Sequence, residues 1–494
     1  MSETISASTL LEDPNYNNVD WDANEKKVQK KRIEEELVKQ ENEIDKDIAQ
    51  QVKDYLIIKQ RRLATETVAY AFLASYKVYT IRSDLKDELW VYNGKIYVPE
   101  AKTYICEYCR KILKSAYTTN FSNEVIEKII TDTYVDEEDF FNNINKEEIC
   151  VKNGILNLKT RKLHPFTSDK LFLNLIPIYY DETKDCQQIR SFLFDVLESS
   201  EDVKLIQEMI GYCLYKDYRI EQSFLFDGKG RNGKGVLIDL VTNFLGIKNV
   251  SNISLHRLTD ENSFDLSELF GKLANLGGDI NSAAIDDTGI YKSLTGNDSI
   301  SAKRKFMTNI NFKNYAKMIY ACNKPPHVKD TSDGFWDRWN LIIFPYKFVH
   351  QEIYDSAKDE DKPYLKIRDN NLKDKLFTPE NFSGLLNWAL DGLDRLLAQG
   401  HYTFTESNKN VREKWQRGSN SFIAFCNDCI EEDYDGKIIK SDLRIIYNKY
   451  CKKNRIEPVS NSEMSKYLTK NLSASSEREN DGTRKRYWGG IKIK

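Results

Sequence analysis

Between Ser223 and Gly246 the chain reads SFLFDGKGRNGKGVLIDLVTNFLG. Gly228, Lys229, Gly230, Arg231, Asn232, Gly233 and Lys234 keep the GxxxxGK spacing of a loop that wraps phosphate. The chemistry explains the spacing. Glycines let successive backbone N–H groups turn inward around phosphate oxygens, a helix beginning near Val236 adds the partial positive charge of its N-terminus, and Lys234 reaches the β and γ phosphates. Gly235 then departs from the general motif, which places a Ser or Thr hydroxyl on Mg²⁺ at this point. A metal here must rely on phosphate oxygens, water and an acidic partner. The stretch KLANLGGDI supplies that partner, an apolar strand ending in Asp279, which is placed to hold Mg²⁺ through water or to orient an attacking water. A cap on the following turn is the plainer reading of Asp279, and no second carboxylate adjoins it.

The elements around the loop alternate as strand, glycine loop, helix, strand, helix, which implies a nucleotide-binding α/β core over residues 223–350. Residues 149–222 precede it, opening on a hairpin in ICVKNGILNLKTRKLHPF with a turn at Asn153-Gly154 and continuing as helices. Residues 63–148 read as helices with a short hairpin at Asn93-Gly94, an α+β region without a nameable motif. Residues 1–62 form a charged tail and an amphipathic helix whose sparse apolar series includes Ile33, Leu37, Ile44, Ile48, Val52 and Tyr55. Gln40 and Asp47 interrupt the seam a strong coiled coil needs, which leaves a helix docked on its own protein or a solvated charged helix. Residues 351–419 read as a linker and helical lid, and residues 420–494 as a separate small unit.

The 494 residues carry 73 Lys plus Arg against 76 Asp plus Glu, a net charge near −3. Length alone predicts roughly three folded units. With 40% hydrophobic and 30% charged residues, the composition is globular rather than disordered or fibrous. No apolar run approaches the roughly 18 residues of a membrane span, and the acidic start resembles neither a secretory signal nor a transit peptide. The expectation is a cytoplasmic protein without a membrane partner. Nine cysteines are too scattered for a disulfide framework. The CxxC pairs Cys106/Cys109 and Cys426/Cys429 lie in stretches of helical spacing, where buried thiols explain them better than zinc.

From Lys152 to about Phe348 an ordered series of segments resembles the superfamily 3 helicase core of the phage, plasmid and poxvirus primase-helicase proteins. VKNGILNLKTRKLHPF looks like the start of the domain before the ATPase, GKGRNGKGVL like the Walker A loop, and LANLGGDI like the Walker B strand. YKSLTGNDSISAKRKF is similar to the basic hairpin, FKNYAKMIYACNKPP to the polar sensor strand, and GFWDRWNLIIFPYKF to the arginine-finger segment. The resemblance implies that Asn323 senses the γ-phosphate and positions water, jobs suited to an amide that donates and accepts; without it, Asn323 is a turn residue before two prolines. It implies that Arg338 enters a neighbour's ATP site, where a structural salt bridge is the alternative. It also implies that Lys303, Arg304, Lys305 and Phe306 grip single-stranded DNA in a central channel, against a basic run on a solvated edge. The first 150 residues look like no primase domain, so priming is not predicted.

The segment from Asn420 reads as helix, short strand (GKIIK), two helices and a basic strand pair, a winged helix whose third helix would enter the major groove. Arg484, Lys485 and Arg486 on its wing would meet phosphates, although winged helices also serve as protein contacts. The fold class expected is α/β, a P-loop AAA+-like ATPase core with a helical and α+β N-terminal region and a C-terminal winged helix. The function expected is an ATP- and Mg²⁺-dependent replicative DNA helicase of a mobile element, a homo-oligomeric and most simply hexameric ring on single-stranded and forked DNA, working beside a separate primase or polymerase. The competing expectations are an origin-recognition or helicase-loading ATPase, a small-molecule phosphotransferase, and a DNA-binding protein with a dead ATP site.

Overall fold

The computed structural model describes residues 45–83, 86–141, 145–258, 264–280, 285, 287–330, 332–403, 406–454, 456–478 and 486–494, apart from the side chain of Asp279. The chain divides into two compact units, Met1–Asn143 and Ile144–Lys494.

In the first unit, residues 45–57 are helical, and Val52 is buried in one core with Val68, Phe72, Ile105, Val125 and Ile129. The described part of the amphipathic helix therefore docks on its own unit. It stops where Lys59 takes a positive φ of 57°, and a second helix, Arg61–Ser75, follows. A four-stranded sheet includes the hairpin Glu88–Tyr92 and Tyr97–Val98, with the Asn93 side chain accepting from the N–H groups of Lys95 and Ile96 across the turn. Ile33, Leu37, Gln40 and Ile44 lie outside the described residues.

The second unit opens with the hairpin Glu148–Val151 and Gly154–Asn157, whose register pairs Val151 with Gly154. The turn residues are thus Lys152 and Asn153, one position earlier than the Asn-Gly reading. Gly154 needs a φ of +154°, and any Cβ there would lie 2.5 Å from the carbonyl of His164. Helix Ser200–Leu214 follows, capped by the Ser199 side chain accepting from the N–H of Asp202.

The central sheet comprises β1 (Ser223–Asp227), β2 (Val250–Ser251), β3 (Ala274–Asp279), β6 (Lys317–Cys322) and β7 (Trp339–Ile343), with helix α1 (Lys234–Leu245) after β1. Its order is β2-β3-β6-β1-β7 and every pairing is parallel. Parallel strands are covered on both faces, which is why Phe224, Leu225 and Phe226 of β1 and the whole of β6 are buried. Between β3 and β6 the chain forms α2 (Gly289–Thr295) and an antiparallel hairpin of β4 (Ser299–Ala302) and β5 (Ile310–Lys313).

Beneath the sheet, the ammonium of Lys317 donates to the carbonyls of Tyr215 at 2.7 Å, Asp217 at 2.9 Å and Tyr315 at 2.8 Å, and lies 4.1 Å from the centre of the Tyr212 ring. It ties the start of β6 to carbonyls just beyond helix Ser200–Leu214. Helix α3 (Pro379–Gln399) packs on that helix through two glycines. A Cβ on Gly211 would lie 2.1 Å from the carbonyl of Ala389, and one on Gly392 2.7 Å from Gln207. The fully buried carboxylate of Glu208 pairs with Arg395 at 2.6 Å across the same contact.

Helix α4 (Asn408–Ser419) leads through Asn420 into the last segment, α5 (Ser421–Cys429), β8 (Ile430–Ile439), α6 (Lys440–Asn454), α7 (Asn461–Asn471), β9 (Ser475–Arg478) and β10 (Arg486–Ile493), with sheet order β8-β10-β9. Strand β8 is longer than the sequence reading, because a bulge between Glu432 and Lys437 lets its acidic half stay paired with β10. Among the described residues no helix is long and apolar enough to cross a membrane.

Candidate nucleotide site

At the C-terminal edge of the sheet, β1 ends at Asp227 and the chain turns through residues 228–233 before α1 begins at Lys234. Two glycines are sterically required. Gly228 has φ +157°, and a Cβ would lie 2.4 Å from Asn232 Nδ2 and 2.6 Å from the Phe344 carbonyl. Gly233 caps α1 at φ +95°, with Val196 2.5 Å from where its Cβ would stand. Arg231 also has a positive φ, 64°, and its carbonyl accepts from the N–H of Phe348 at 2.7 Å. Asn232 is buried; its Oδ1 accepts from the backbone N–H of Lys234 at 3.4 Å. These constraints hold a concave loop at a helix N-terminus, the geometry that suits an anion.

The Lys234 side chain is buried, and its ammonium donates to the Gly228 carbonyl and, at 3.4 Å, to Oδ1 of Asn323. Asn323 follows β6, the strand beside β1, where Cys322 is the register partner of Asp227. Asp279 ends β3 on the far side of β6 and pairs with Ala321 after a bulge at Gly277, where Tyr320 lies 2.5 Å from any added Cβ. Lys234, Asn323 and the backbone of Asp279 therefore share one edge of the sheet. The side chain of Asp279 lies outside the described residues. Gly235 is exposed, and a Cβ there meets nothing within 4 Å.

Asp227 is a residue that motif spacing passes over. Burial pushes its carboxyl up to about 6, while the Lys234 ammonium and the Cys322 thiol, donating at 3.7 Å, pull it back. The signal was present as the acid that ends an otherwise apolar strand immediately before the first loop glycine. A cavity of about 510 Å³ opens beside the loop, walled by Phe192, Val196, Val236, Phe348 and Leu372. Its apolar walls, with Arg368, Asp369 and Lys373 among its polar groups, suit the flat face of a nucleobase.

The other candidate residues stand apart from this edge. Arg338 precedes β7, and its carbonyl accepts from the N–H of Ser223 at the opposite end of β1. That separation is on the order of 15 Å along the strand. Its guanidinium donates to Thr295 Oγ1 at 3.0 Å and to Glu221 at 2.7 Å, so within one chain it is engaged in a structural ion pair. Lys303, Arg304, Lys305 and Phe306 form the connection of the β4–β5 hairpin. Phe306 is 84% exposed, the Lys305 ammonium lies 5.2 Å from its ring centre, and Arg304 donates to the Thr308 carbonyl at 3.1 Å. Arg486 is exposed at the start of β10, whereas Arg484 and Lys485 lie outside the described residues. Cys106 and Cys109 sit on helix Ala101–Leu113 and Cys426 and Cys429 on α5, and burial pushes the Cys109 and Cys426 thiols up to about 12.

Fold and site together define a mixed α/β protein with a parallel sheet and a P-loop-like core. Residues 14–198 match a family model described as D5 N terminal like, and residues 226–338 match a family of unknown function (DUF5906). Similar proteins include "Putative helicase L207/L206" of Acanthamoeba polyphaga mimivirus, 27% identical over 282 residues, which cover 54% of this chain and 29% of that protein. "Putative helicase 121R" of Invertebrate iridescent virus 3 is 22% identical, covering 63% and 36%, and "Putative helicase V13" of Sputnik virophage 23% identical, covering 57% and 36%. The chain thus spans about a third of the length of these relatives. Among solved structures, the apo C-terminal region of NrS-1 covers 86% of this chain and 98% of its own, at 13% identity and a TM-score of 0.43. The chain is thus similar to viral proteins named as putative helicases and carries a D5 N terminal like segment.

Proposed function

We propose that the protein is an ATP-driven superfamily 3 DNA helicase of a mobile element, an AAA+-like motor that forms a homo-oligomeric, most simply hexameric, ring. The observation that carries this reading is the ammonium of Lys234 shared between the loop carbonyl of Gly228 and the amide of Asn323. That contact joins a phosphate-binding group to a polar residue on the adjacent strand, as hydrolysis requires and simple anion binding does not.

In this reading the loop N–H groups and Lys234 bind the triphosphate, and the cavity of Phe192, Val196, Phe348 and Leu372 takes the base. Asn323 exchanges its contact with Lys234 for one with the γ-phosphate and orients water. Asp279 is the residue that would hold Mg²⁺, with water in place of the hydroxyl that Gly235 lacks. When bound, the ion supplies neutralisation of developing charge on phosphate oxygens. Arg338 completes the site of the neighbouring subunit. The hairpin carrying Lys303, Arg304, Lys305 and Phe306 grips single-stranded DNA at a fork, and the C-terminal segment acts as a winged helix with Arg484, Lys485 and Arg486 on phosphates. A separate primase or polymerase would use the strand it exposes.

The test is strand separation and ATP hydrolysis by the purified protein, with and without single-stranded DNA. Turnover that rises with DNA and accompanies unwinding supports the motor. Nucleotide binding with hydrolysis but no unwinding would replace it with an origin-recognition or helicase-loading ATPase.

A further inference from the structure

We infer that Trp415 is a positioning residue for the nucleotide site, fixing the loop that carries Asn323. The inference rests on the hydrolase reading above. After Asn323 the chain continues Lys324-Pro325-Pro326, and the two prolines have no N–H with which to anchor themselves. This stretch is held through its carbonyls and its packing. The indole N–H of Trp415, on α4, donates to the carbonyl of Pro326 at 2.7 Å. Trp415 is 1% exposed, with the rings of Trp336 and Trp339 centred 5.7 Å and 5.1 Å away, so the donor has no room to turn aside.

A second contact comes from the same helix. Gly418 lies so close to the loop that a Cβ would stand 3.0 Å from Pro325 and 3.2 Å from the carboxylate of Asp227. Helix α4 therefore touches the segment after Asn323 and the root of the phosphate loop together. Beyond Pro326 the loop is pinned from the opposite side, where the N–H of Ile285 donates to the His327 carbonyl at 2.8 Å and Lys292 pairs with Asp330 at 3.0 Å. Releasing the Trp415 contact frees one end of a short clamped segment and lets Asn323 drift from Lys234. Misplacement of a reacting group by about 1 Å costs up to about 100-fold in rate.

The same helix carries the C-terminal segment. Asn420 both ends α4 and caps α5, and Arg417 forms a paired contact with Asp428 at 2.8 and 2.6 Å. The nucleotide edge is thus braced by the helix from which that segment hangs.

The experiment compares ATP affinity, steady-state turnover and melting temperature in the full chain for Trp415→Phe, which keeps a ring and removes the N–H, and for Val411→Ala, which removes a buried contact of the same helix one turn before Trp415 and leaves the indole N–H in place. The expected result is an ATP dissociation constant within about twofold of the unaltered protein and turnover lowered about 10- to 100-fold in Trp415→Phe. Val411→Ala should lose melting temperature and keep its turnover. Wild-type turnover in Trp415→Phe, or turnover falling in step with melting temperature in both variants, would overturn the positioning role and leave the hydrolase reading intact. Absence of hydrolysis by the unaltered protein would overturn both.

Discussion

The ammonium of Lys234 lies 3.4 Å from the amide oxygen of Asn323, although 89 residues separate them in the chain. Sheet order makes this possible, since β6 lies directly beside β1 and their last residues, Cys322 and Asp227, are in register. The two side chains should fail differently. Lys234→Ala removes the charge proposed to bind phosphate and should abolish detectable ATP binding in equilibrium titration. Asn323→Ala leaves the loop intact, so affinity should stay within a few fold while turnover falls on the order of 100-fold. Equal losses of affinity in both would contradict the division of labour.

Gly235 allows a gain-of-function test. It is exposed on the first turn of α1, and a side chain there meets nothing within 4 Å, so Gly235→Ser should fold without strain. The new hydroxyl stands where the general loop motif places a metal ligand. The Mg²⁺ concentration that half-saturates ATP hydrolysis should fall about tenfold, equivalent to about 1.4 kcal/mol. A Mg²⁺ titration that superimposes on that of the unaltered protein would mean that metal is not held at this position.

The loop was legible because its glycines are demanded by local backbone geometry: Gly228 and Gly233 take positive φ angles of 157° and 95°. The helical pairs Cys106/Cys109 and Cys426/Cys429 were legible for the same local reason, with Cys109 and Cys426 buried and Cys106 and Cys429 half-buried. What sequence could not reveal are contacts made across the fold. Lys317 looks like an ordinary polar residue before an apolar strand, yet it is buried against three carbonyls, two of them about a hundred residues earlier. Trp415 and Gly418 lie in a helix read as part of a lid, and nothing near them announces Pro325 and Pro326. Arg338 shows the converse: its residue type fits two roles, and within one chain its partner is Glu221.

Asp227 gives the pH dependence. Burial raises its carboxyl from the ordinary 3.8 to about 6, against the pull of Lys234 and Cys322. Between these values the native state holds a proton that the unfolded chain has released. The associated stabilisation is complete below about pH 4 and is lost as pH rises through 6. Asp227→Asn cannot ionise, so its stability relative to the unaltered protein should rise by about 2 kcal/mol between pH 4 and pH 7. Urea unfolding of both proteins at the two pH values measures this, and parallel curves would show that Asp227 does not titrate in the window.

The hairpin makes a prediction separable from stability. Phe306 is 84% exposed with φ +60°, and its ring lies beside Lys305 rather than in any core. Phe306→Ala should leave the melting temperature unchanged and weaken single-stranded DNA binding by about 1–3 kcal/mol, the range for losing one stacked base. Substituting Lys305 should instead flatten the salt dependence of binding. Unaltered DNA affinity in Phe306→Ala would remove this hairpin from the DNA path.

Arg338 provides the test of assembly. Its carbonyl accepts from the N–H of Ser223, at the end of β1 remote from the loop, and its guanidinium is engaged by Thr295 and Glu221. In one chain it is therefore a strand length from the phosphates it is proposed to serve. If it acts on a neighbour, Lys234→Ala and Arg338→Ala should each be inactive alone, yet regain part of the turnover when mixed. Mixed rings contain junctions where an intact Lys234 faces an intact Arg338. Turnover measured across mixing ratios should peak between the pure variants and rise with total protein concentration. A mixture no more active than its components, in a protein that otherwise hydrolyses ATP, would mean that Arg338 holds Glu221 and does nothing for a neighbour's phosphates.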